Sequence, residues 1–129
     1  MDYEKETSVE QVSGAALMFR RDIIHQLGLL DENYFMYFEE SDYCLQAVKQ
    51  GLKLLYYPYS RITHTQTVGT QSERSIKDFV ESFAYYFKKN FNHFVYSLAL
   101  LIFIIGSFLR LFKSLILIEK NYKVYTYYL

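Results

Sequence analysis

The chain has 129 residues, enough for one ordinary domain, and its 14 basic and 14 acidic side chains balance overall. The charge is uneven along the chain, because residues 1–65 carry 10 acidic and 6 basic side chains (net −4) and residues 66–129 carry 4 acidic and 8 basic (net +4). The positive excess lies beside the most apolar segment, which argues against a nucleic-acid partner and favours an anionic membrane surface.

Cysteine content and the first ten residues both bear on the compartment. A single cysteine, Cys44, can form no internal disulfide, as is typical of a reducing cytoplasm, and we expect it to be a small core residue. Residues 1–10 contain five charged side chains and lack the apolar run of a secretory signal. We therefore expect the N-terminal part to stay in the cytosol.

The first predicted element is a buried strand at residues 12–19, which are mostly small and apolar. Residues 22–27 then predict a short helix, and Gly28 supplies the residue that commonly follows a helix end. Residues 29–33 include Asp, Glu and Asn, which predict a turn.

The most unusual segment is residues 34–44, in which an aromatic block runs directly into acidic residues. Residues 39–50 contain neither Pro nor Gly and are followed by Gly51, which predicts a helix with a C-terminal glycine. The helix begins with three carboxylates within four positions: Glu39, Glu40 and Asp42.

Helical register places these carboxylates on two different faces. Glu40 shares a stripe with Cys44, Ala47 and Val48, so we expect it to point into the protein. A second stripe consists of Asp42, Gln46 and Lys49.

Residues 52–57 and 60–64 predict two short strands separated by Pro58, and residues 65–75 predict a polar loop. From residue 75 the pattern is that of an amphipathic helix. Its aromatic side chains fall on one side: Phe79, Phe83, Tyr86 and Phe87.

The C-terminal segment, residues 75–129, is expected to associate with a membrane. Residues 90–109 contain no Asp, Glu, Lys or Arg, and a helix of that length reaches about 30 Å, one hydrocarbon thickness. However, this stretch begins with polar residues, and the basic residues Arg110 and Lys113 follow it. A helix that lies in the membrane interface is therefore nearly as good an interpretation as a helix that spans the membrane.

The carboxylates have a catalytic and a structural interpretation. A sugar transferase must take the proton from an acceptor alcohol, and a partly desolvated carboxylate such as Glu40 suits that task. Acidic residues in a first helical turn also simply stabilise the helix dipole and free amides. The aromatic block likewise suits either a platform for a sugar ring or a packed core.

Residues 9–72 contain a series of short features in this order: Gly14-Ala15, Arg20-Arg21, Gly28-Leu29-Leu30-Asp31-Glu32, the aromatic residues 34–38, Glu39-Glu40, Asp42, Gly51 and His64. This order resembles the acceptor-side half of family 2 glycosyltransferases of the GT-A fold, in the rhamnosyltransferase-like branch. The resemblance implies an α/β fold, with a partial GT-A domain at residues 1–74 that lacks its N-terminal nucleotide-binding half. C-terminal amphipathic or membrane helices follow in residues 75–129.

The resemblance further implies an inverting hexosyltransferase with a nucleotide-sugar donor and a glycan or lipid-linked acceptor. The Mg or Mn expected in the full-length family would not be bound by this chain alone, because the sequence contains no Asp-x-Asp motif. We therefore expect a fragment, inactive by itself, at the cytoplasmic face of the cell membrane, either peripheral or single-span.

Individual roles are also implied by the resemblance. Glu40 stands where the family has the Asp of a Glu-Asp pair, so the catalytic base would carry one extra methylene, a displacement that can lower the rate. Gln46 stands where the family usually has Arg, which weakens a salt bridge to the carboxylates. The other implied roles are acceptor binding by Glu39, Asp42 and Tyr37, and metal binding by His64.

Two further hypotheses belong to other classes. One is a non-catalytic membrane-surface or interaction protein, in which the carboxylates only stabilise a helix and the aromatic C-terminal segment binds lipid or a partner. The other is a small integral membrane protein whose soluble part is incidental.

Overall fold

The computed structural model describes residues 4–64 and 73–126. Two compact units divide the chain, Met1–Asn90 and Phe91–Leu129. In chain order the described elements are β1 (Thr7–Val9), a 3-10 helix (Gly14–Ala16), α1 (Arg21–Leu27), α2 (Glu39–Lys49), β2 (Leu54–Tyr56), α3 (Glu73–Asn90) and α4 (His93–Thr126).

The described part of the chain has one small sheet, formed by β1 and β2. The two strands are antiparallel, with Thr7 opposite Tyr56 and Val9 opposite Leu54. The predicted strand at residues 52–57 is therefore confirmed by β2. Residues 60–64 form no strand, so that prediction was wrong.

The buried strand predicted at residues 12–19 was also wrong. Ser13 instead begins the 3-10 helix, since its hydroxyl accepts a hydrogen bond from the Ala15 amide (3.3 Å) and its carbonyl accepts one from the Ala16 amide (3.3 Å). The small side chains that looked like a buried strand leave room for this tight turn, and none of the residues from Gly14 to Ala16 is buried.

Both predicted glycine stops are confirmed. Gly28 follows α1 with φ +83°, and its amide donates to the Ile24 carbonyl at 2.9 Å. Gly51 follows α2 with φ +75°, and its amide donates to the Val48 carbonyl at 2.9 Å. These left-handed conformations are easily accessible to glycine because it has no Cβ.

The core of the first unit is small and centres on α2. Cys44 and Ala47 are buried, as the register predicts, whereas Val48 is 46% exposed, so its predicted inward position was wrong. Among the described residues, Tyr34 and Tyr43 complete the buried apolar set, and the Tyr43 hydroxyl donates to the Gly28 carbonyl at 3.0 Å. That bond ties α2 to the end of α1.

Helix α3 packs its aromatic side against the segment before α2. The ring of Phe38 lies 5.5 Å from that of Phe79, 5.9 Å from Phe83 and 5.3 Å from Tyr86, between centroids. The predicted one-sided aromatic pattern is thus confirmed. Residues 75–90, which the sequence groups with the C-terminal segment, belong in the structure to the same compact unit as α2.

The second unit consists of α4 in the described residues. Its stretch His93–Ile116, 24 residues long, is long and apolar enough to cross a membrane, and none of its most apolar window is buried. At 1.5 Å per residue this stretch extends roughly 36 Å, more than one hydrocarbon thickness.

Candidate active site

The aromatic block forms a tight, left-handed connection into α2. Tyr37 and Phe38 have φ values of +70° and +68°, which bulky residues rarely adopt. Contacts with α3 hold this conformation: Tyr37 packs edge-to-face on Phe79 at 5.7 Å, and the Ser82 hydroxyl donates to the Met36 carbonyl at 2.7 Å. Tyr37 and Phe38 are therefore packed against α3, whereas Phe35 in the same block is exposed.

Glu39 and Glu40 occupy the first turn of α2 and are both partly buried. Among the residues that the structure describes, neither Glu39 Oε2 nor Glu40 Oε2 has a hydrogen-bond partner, although both atoms are buried. A buried carboxylate oxygen without a partner is costly, which makes it unusual in a purely structural role. Burial of Glu40 Oε2 also agrees with the inward direction predicted from the register.

Asp42 has a different environment, although it is only two residues further along. It is 4% exposed, and each of its carboxylate oxygens has a partner on α3. Oδ2 accepts from Lys89 Nζ at 2.7 Å, and Oδ1 accepts from Asn90 Nδ2 at 2.6 Å. Its oxygens therefore join α2 to the C-terminal end of α3.

The rest of the predicted second stripe of α2 reaches the same place. Gln46 Nε2 donates to Asn90 Oδ1 at 2.8 Å, and Lys49 Nζ does so at 3.4 Å. The shared face predicted for Asp42, Gln46 and Lys49 is thus confirmed, and it faces the end of α3.

Asp31 brings the turn before the aromatic block into this arrangement. Its Oδ1 accepts from the Asn33 amide at 3.0 Å, which stabilises the turn, and its Oδ2 accepts from Lys89 Nζ at 2.7 Å and from the Tyr85 hydroxyl at 3.0 Å. Lys89, Asn33 and Tyr85, all donating to this carboxylate, hold the pKa of Asp31 well below its usual range.

The same surroundings shift the pKa values of two other groups, Tyr34 and Lys89. Burial raises the pKa of the Tyr34 hydroxyl, and the nearby charge of Asp42 raises it further, so this group stays protonated. Burial lowers the pKa of Lys89, but hydrogen bonds to Asp31 and Asp42 outweigh that effect and the net pKa is raised. Lys89 is therefore charged at neutral pH.

His64 follows β2 in a segment without regular secondary structure. It is exposed, at the end of the first described range, and forms no hydrogen bond or ion pair with any described residue. In residues 4–64 and 73–126 no group of three or more His, Cys, Asp or Glu side chains could hold a metal ion. The described residues therefore do not by themselves supply the ligand set of a divalent metal, and a role of His64 as one ligand stays a prediction.

Asp31, Lys89, Asn90 and Tyr85 were not singled out from the sequence as site residues. A signal for them exists on α3, where Ser82, Tyr85 and Lys89 recur at helical spacings of three and four. A polar stripe beside an aromatic stripe indicates a helix that contacts the rest of the protein through both of these faces. What the pattern lacks is the identity of the partner, because Lys89 lies 47 residues from Asp42 and 58 from Asp31.

Comparisons with known proteins find glycosyltransferases over part of the chain. Over 46 residues, 36% of this chain, it is 30% identical to the low-salt glycan biosynthesis hexosyltransferase Agl10 of Haloferax volcanii. Over 65 residues, 50% of this chain, it is 35% identical to the N-acetylglucosaminyl-diphospho-decaprenol L-rhamnosyltransferase of Mycobacterium tuberculosis. These matches cover 15% and 21% of the two relatives. No protein-family model and no solved structure matches. Part of the chain is thus glycosyltransferase-like.

Proposed function

We propose that this chain provides the acceptor-side, base-bearing part of an inverting glycosyltransferase of the GT-A type. The donor is a nucleotide sugar and the acceptor is a glycan or lipid-linked hydroxyl. The similarity to two glycosyltransferases supports the reaction class, and the name of one of them specifies a diphospho-decaprenol acceptor.

The single observation that carries the proposal is the contrast between Glu40 and Asp42. Asp42 uses both carboxylate oxygens to hold α3, whereas Glu40 keeps a buried oxygen without a partner in the described part of the chain. A general base must accept a hydrogen bond from its substrate, so it needs an oxygen that the protein leaves unoccupied. Glu39 and Glu40 each have such an oxygen, and the inward register of Glu40 and its place in the family pattern favour Glu40 as the base.

In the proposed reaction the acceptor hydroxyl attacks the anomeric carbon of the donor sugar. Glu40 takes the hydroxyl proton as the new carbon–oxygen bond forms, and the nucleoside diphosphate leaves with the electron pair of the broken bond. Glu39, next to it, accepts a hydrogen bond from a second acceptor hydroxyl. The matched segment corresponds to 21% of the rhamnosyltransferase, so we expect residues outside that segment to bind the donor.

We place this reaction at the cytoplasmic face of a membrane. Support comes from the exposed apolar stretch His93–Ile116 and from the positive excess in the second half of the chain. A lipid-linked acceptor would be presented at such a surface. Attachment through α4 would keep the catalytic part near it.

A chimera tests the function. The matched segment of the Mycobacterium tuberculosis rhamnosyltransferase is replaced by the corresponding segment of this chain, and sugar transfer to its lipid-linked acceptor is measured in membranes. We expect transfer by the chimera and a loss of about 100-fold or more in Glu40→Gln, because the residue can no longer accept a proton. Glu32→Gln, at an exposed turn position, is the matched control.

Two results would count against the proposal. Full activity of the Glu40→Gln chimera would remove Glu40 as the base. An inactive chimera that still folds and inserts into membranes, beside an active unmodified enzyme, would favour the non-catalytic membrane-surface protein.

A further inference from the structure

We propose that Lys89 is a positioning residue for the carboxylates of α2, and that the positive charge required beside Asp42 is supplied by α3 and not by α2 itself. This inference rests on the proposed function in one respect, namely that Glu40 is the catalytic base. Its structural basis is independent of any reaction.

Two acidic side chains converge on one ammonium group. Lys89 Nζ lies 2.7 Å from Asp31 Oδ2 and 2.7 Å from Asp42 Oδ2. The exposed fraction of the side chain is 31% for Lys89 and 18% for Asp31, but only 5% for Asp42, so the pair with Asp42 is the better shielded of the two. Removing the cation would leave Asp42, an almost fully buried carboxylate, without an opposite charge, and this is costly.

Helix α2 does not supply that cation. Position 46, four residues after Asp42, is where a basic side chain would reach back along the helix to this carboxylate. The residue there is Gln46, which is neutral and donates to Asn90 Oδ1. Lys49, on the same face, also contacts Asn90. Within the described residues, Asp42 is ion-paired with Lys89.

The pairing acts on the first turn of α2, which contains Glu39 and Glu40. The residue before this turn, Phe38, forms no side-chain capping bond, and its left-handed backbone does not favour a helix start. The Asp42 amide donates to the Phe38 carbonyl at 2.8 Å, closing the first turn. The Lys89–Asp42 pair therefore holds the same turn that carries the proposed base, two residues from it.

The test is amide hydrogen exchange on the full 129-residue chain in detergent micelles, comparing the parent with three single variants and one double variant. Lys89→Met is expected to speed exchange in the first turns of α2 by about tenfold or more, because the turn opens more often once its anchor is lost. Lys89→Arg should keep near-parental protection. Lys88→Met, at the exposed neighbouring position, is the matched control and should also keep it.

A second-site variant distinguishes positioning from general stabilisation. Gln46→Arg in the Lys89→Met background restores a cation to Asp42 from within α2. We expect protection to return at the Asp42 amide and the α2 amides after it, while the Asn33 amide, which donates to Asp31, exchanges faster than in the parent, since Asp31 still lacks its partner. A residue that only contributed to overall stability would give no such separation.

Unchanged exchange in α2 of Lys89→Met would overturn the inference, as would equal losses in Lys89→Arg and Lys89→Met. If Lys89→Met does not fold, recovery of a protected α2 in the double variant supports the inference, and a double variant that stays unfolded refutes it. Sugar transfer enters none of these measurements. A failed transfer experiment with the expected exchange pattern would leave Lys89 as the anchor of α2 and remove only the proposed reaction.

Discussion

Gly14 lies directly against the side chain of Glu40. A Cβ added to Gly14 would be 3.6 Å from both Cβ and Cδ of Glu40, and 3.7 Å from its Cγ. The 3-10 helix thus forms one flank of the proposed base. Because these are ordinary van der Waals distances, the flank has room for a methyl group but is already close to contact.

Gly14→Ala and Gly28→Ala are therefore expected to differ. The first should change the free energy of unfolding by less than about 0.5 kcal/mol, since the new Cβ meets no clash. The second should cost about 1 kcal/mol, because φ at Gly28 is +83° and a Cβ there is strained even in open space. Chemical denaturation followed by tyrosine fluorescence measures both. A larger loss for Gly14→Ala than for Gly28→Ala would contradict the described backbone.

Phe38→Ala tests the junction between the aromatic block and α3. We expect a loss of about 3 kcal/mol or more in the free energy of unfolding, because the ring contacts Phe79, Phe83 and Tyr86. Phe35→Ala is the control within the same block, since Phe35 is 69% exposed and its ring centroid lies 5.0 Å from the Arg74 guanidinium. It should cost less than about 1 kcal/mol. Equal losses in the two variants would show that the packing is not as described.

Asp31→Asn should destabilise the first unit by about 2 kcal/mol at neutral pH, because a charged hydrogen-bond acceptor for Lys89 and Tyr85 becomes neutral. The folded-state pKa of Asp31 is lowered relative to its unfolded value of about 3.9, so the stability it contributes is complete well above that value and is lost as the pH falls below it. The gap between parent and variant should thus narrow on acidification below about pH 4.

Denaturation curves at several pH values measure this gap. The exposed neighbour Glu32 provides the control, since Glu32→Gln should leave stability at neutral pH nearly unchanged. A gap that stays constant from pH 7 to pH 3 would mean that Asp31 is not held by the Lys89 charge.

Ile104→Lys tests whether α4 crosses a membrane. Ile104 lies near the middle of His93–Ile116, where a lysine costs about 2.5 kcal/mol or more on insertion scales. We expect the parent chain to resist carbonate extraction from membranes and the variant to be released in greater part. Leu115→Lys, near the end of the stretch, should have a smaller effect. Extraction of the parent chain by carbonate would instead indicate a helix lying on the surface.

Local elements of this fold could be predicted from the sequence, because their signals are local. The glycines at 28 and 51 mark the ends of α1 and α2, and aromatic spacing identifies the packed side of α3. Composition was misleading at residues 12–19, where small apolar residues fit a tight turn begun by Ser13 as well as they fit a strand. A strand also needs a neighbouring strand to pair with, and β2 pairs with β1, not with residues 12–19.

The site could be predicted only in part. Register indicates that Glu40 turns inward, and it separates Asp42 from Glu40. It does not reveal that the face of Asp42 is covered by Lys89 and Asn90, because that depends on how α3 packs. The left-handed conformation of Tyr37 and Phe38 is also hidden, since aromatic residues have no local preference for it and tertiary contacts impose it.

Those two left-handed residues have a consequence for the order of folding. Their backbone is unfavourable until α3 is in place, and the bonds that secure them and the turn nearby close loops of 46 to 58 residues, from Ser82 to Met36 and from Lys89 to Asp31. During synthesis on the ribosome, residues 31–42, which include the proposed base, are therefore expected to reach their native conformation only after α3 has emerged. The site should be among the last parts of the first unit to acquire its native form.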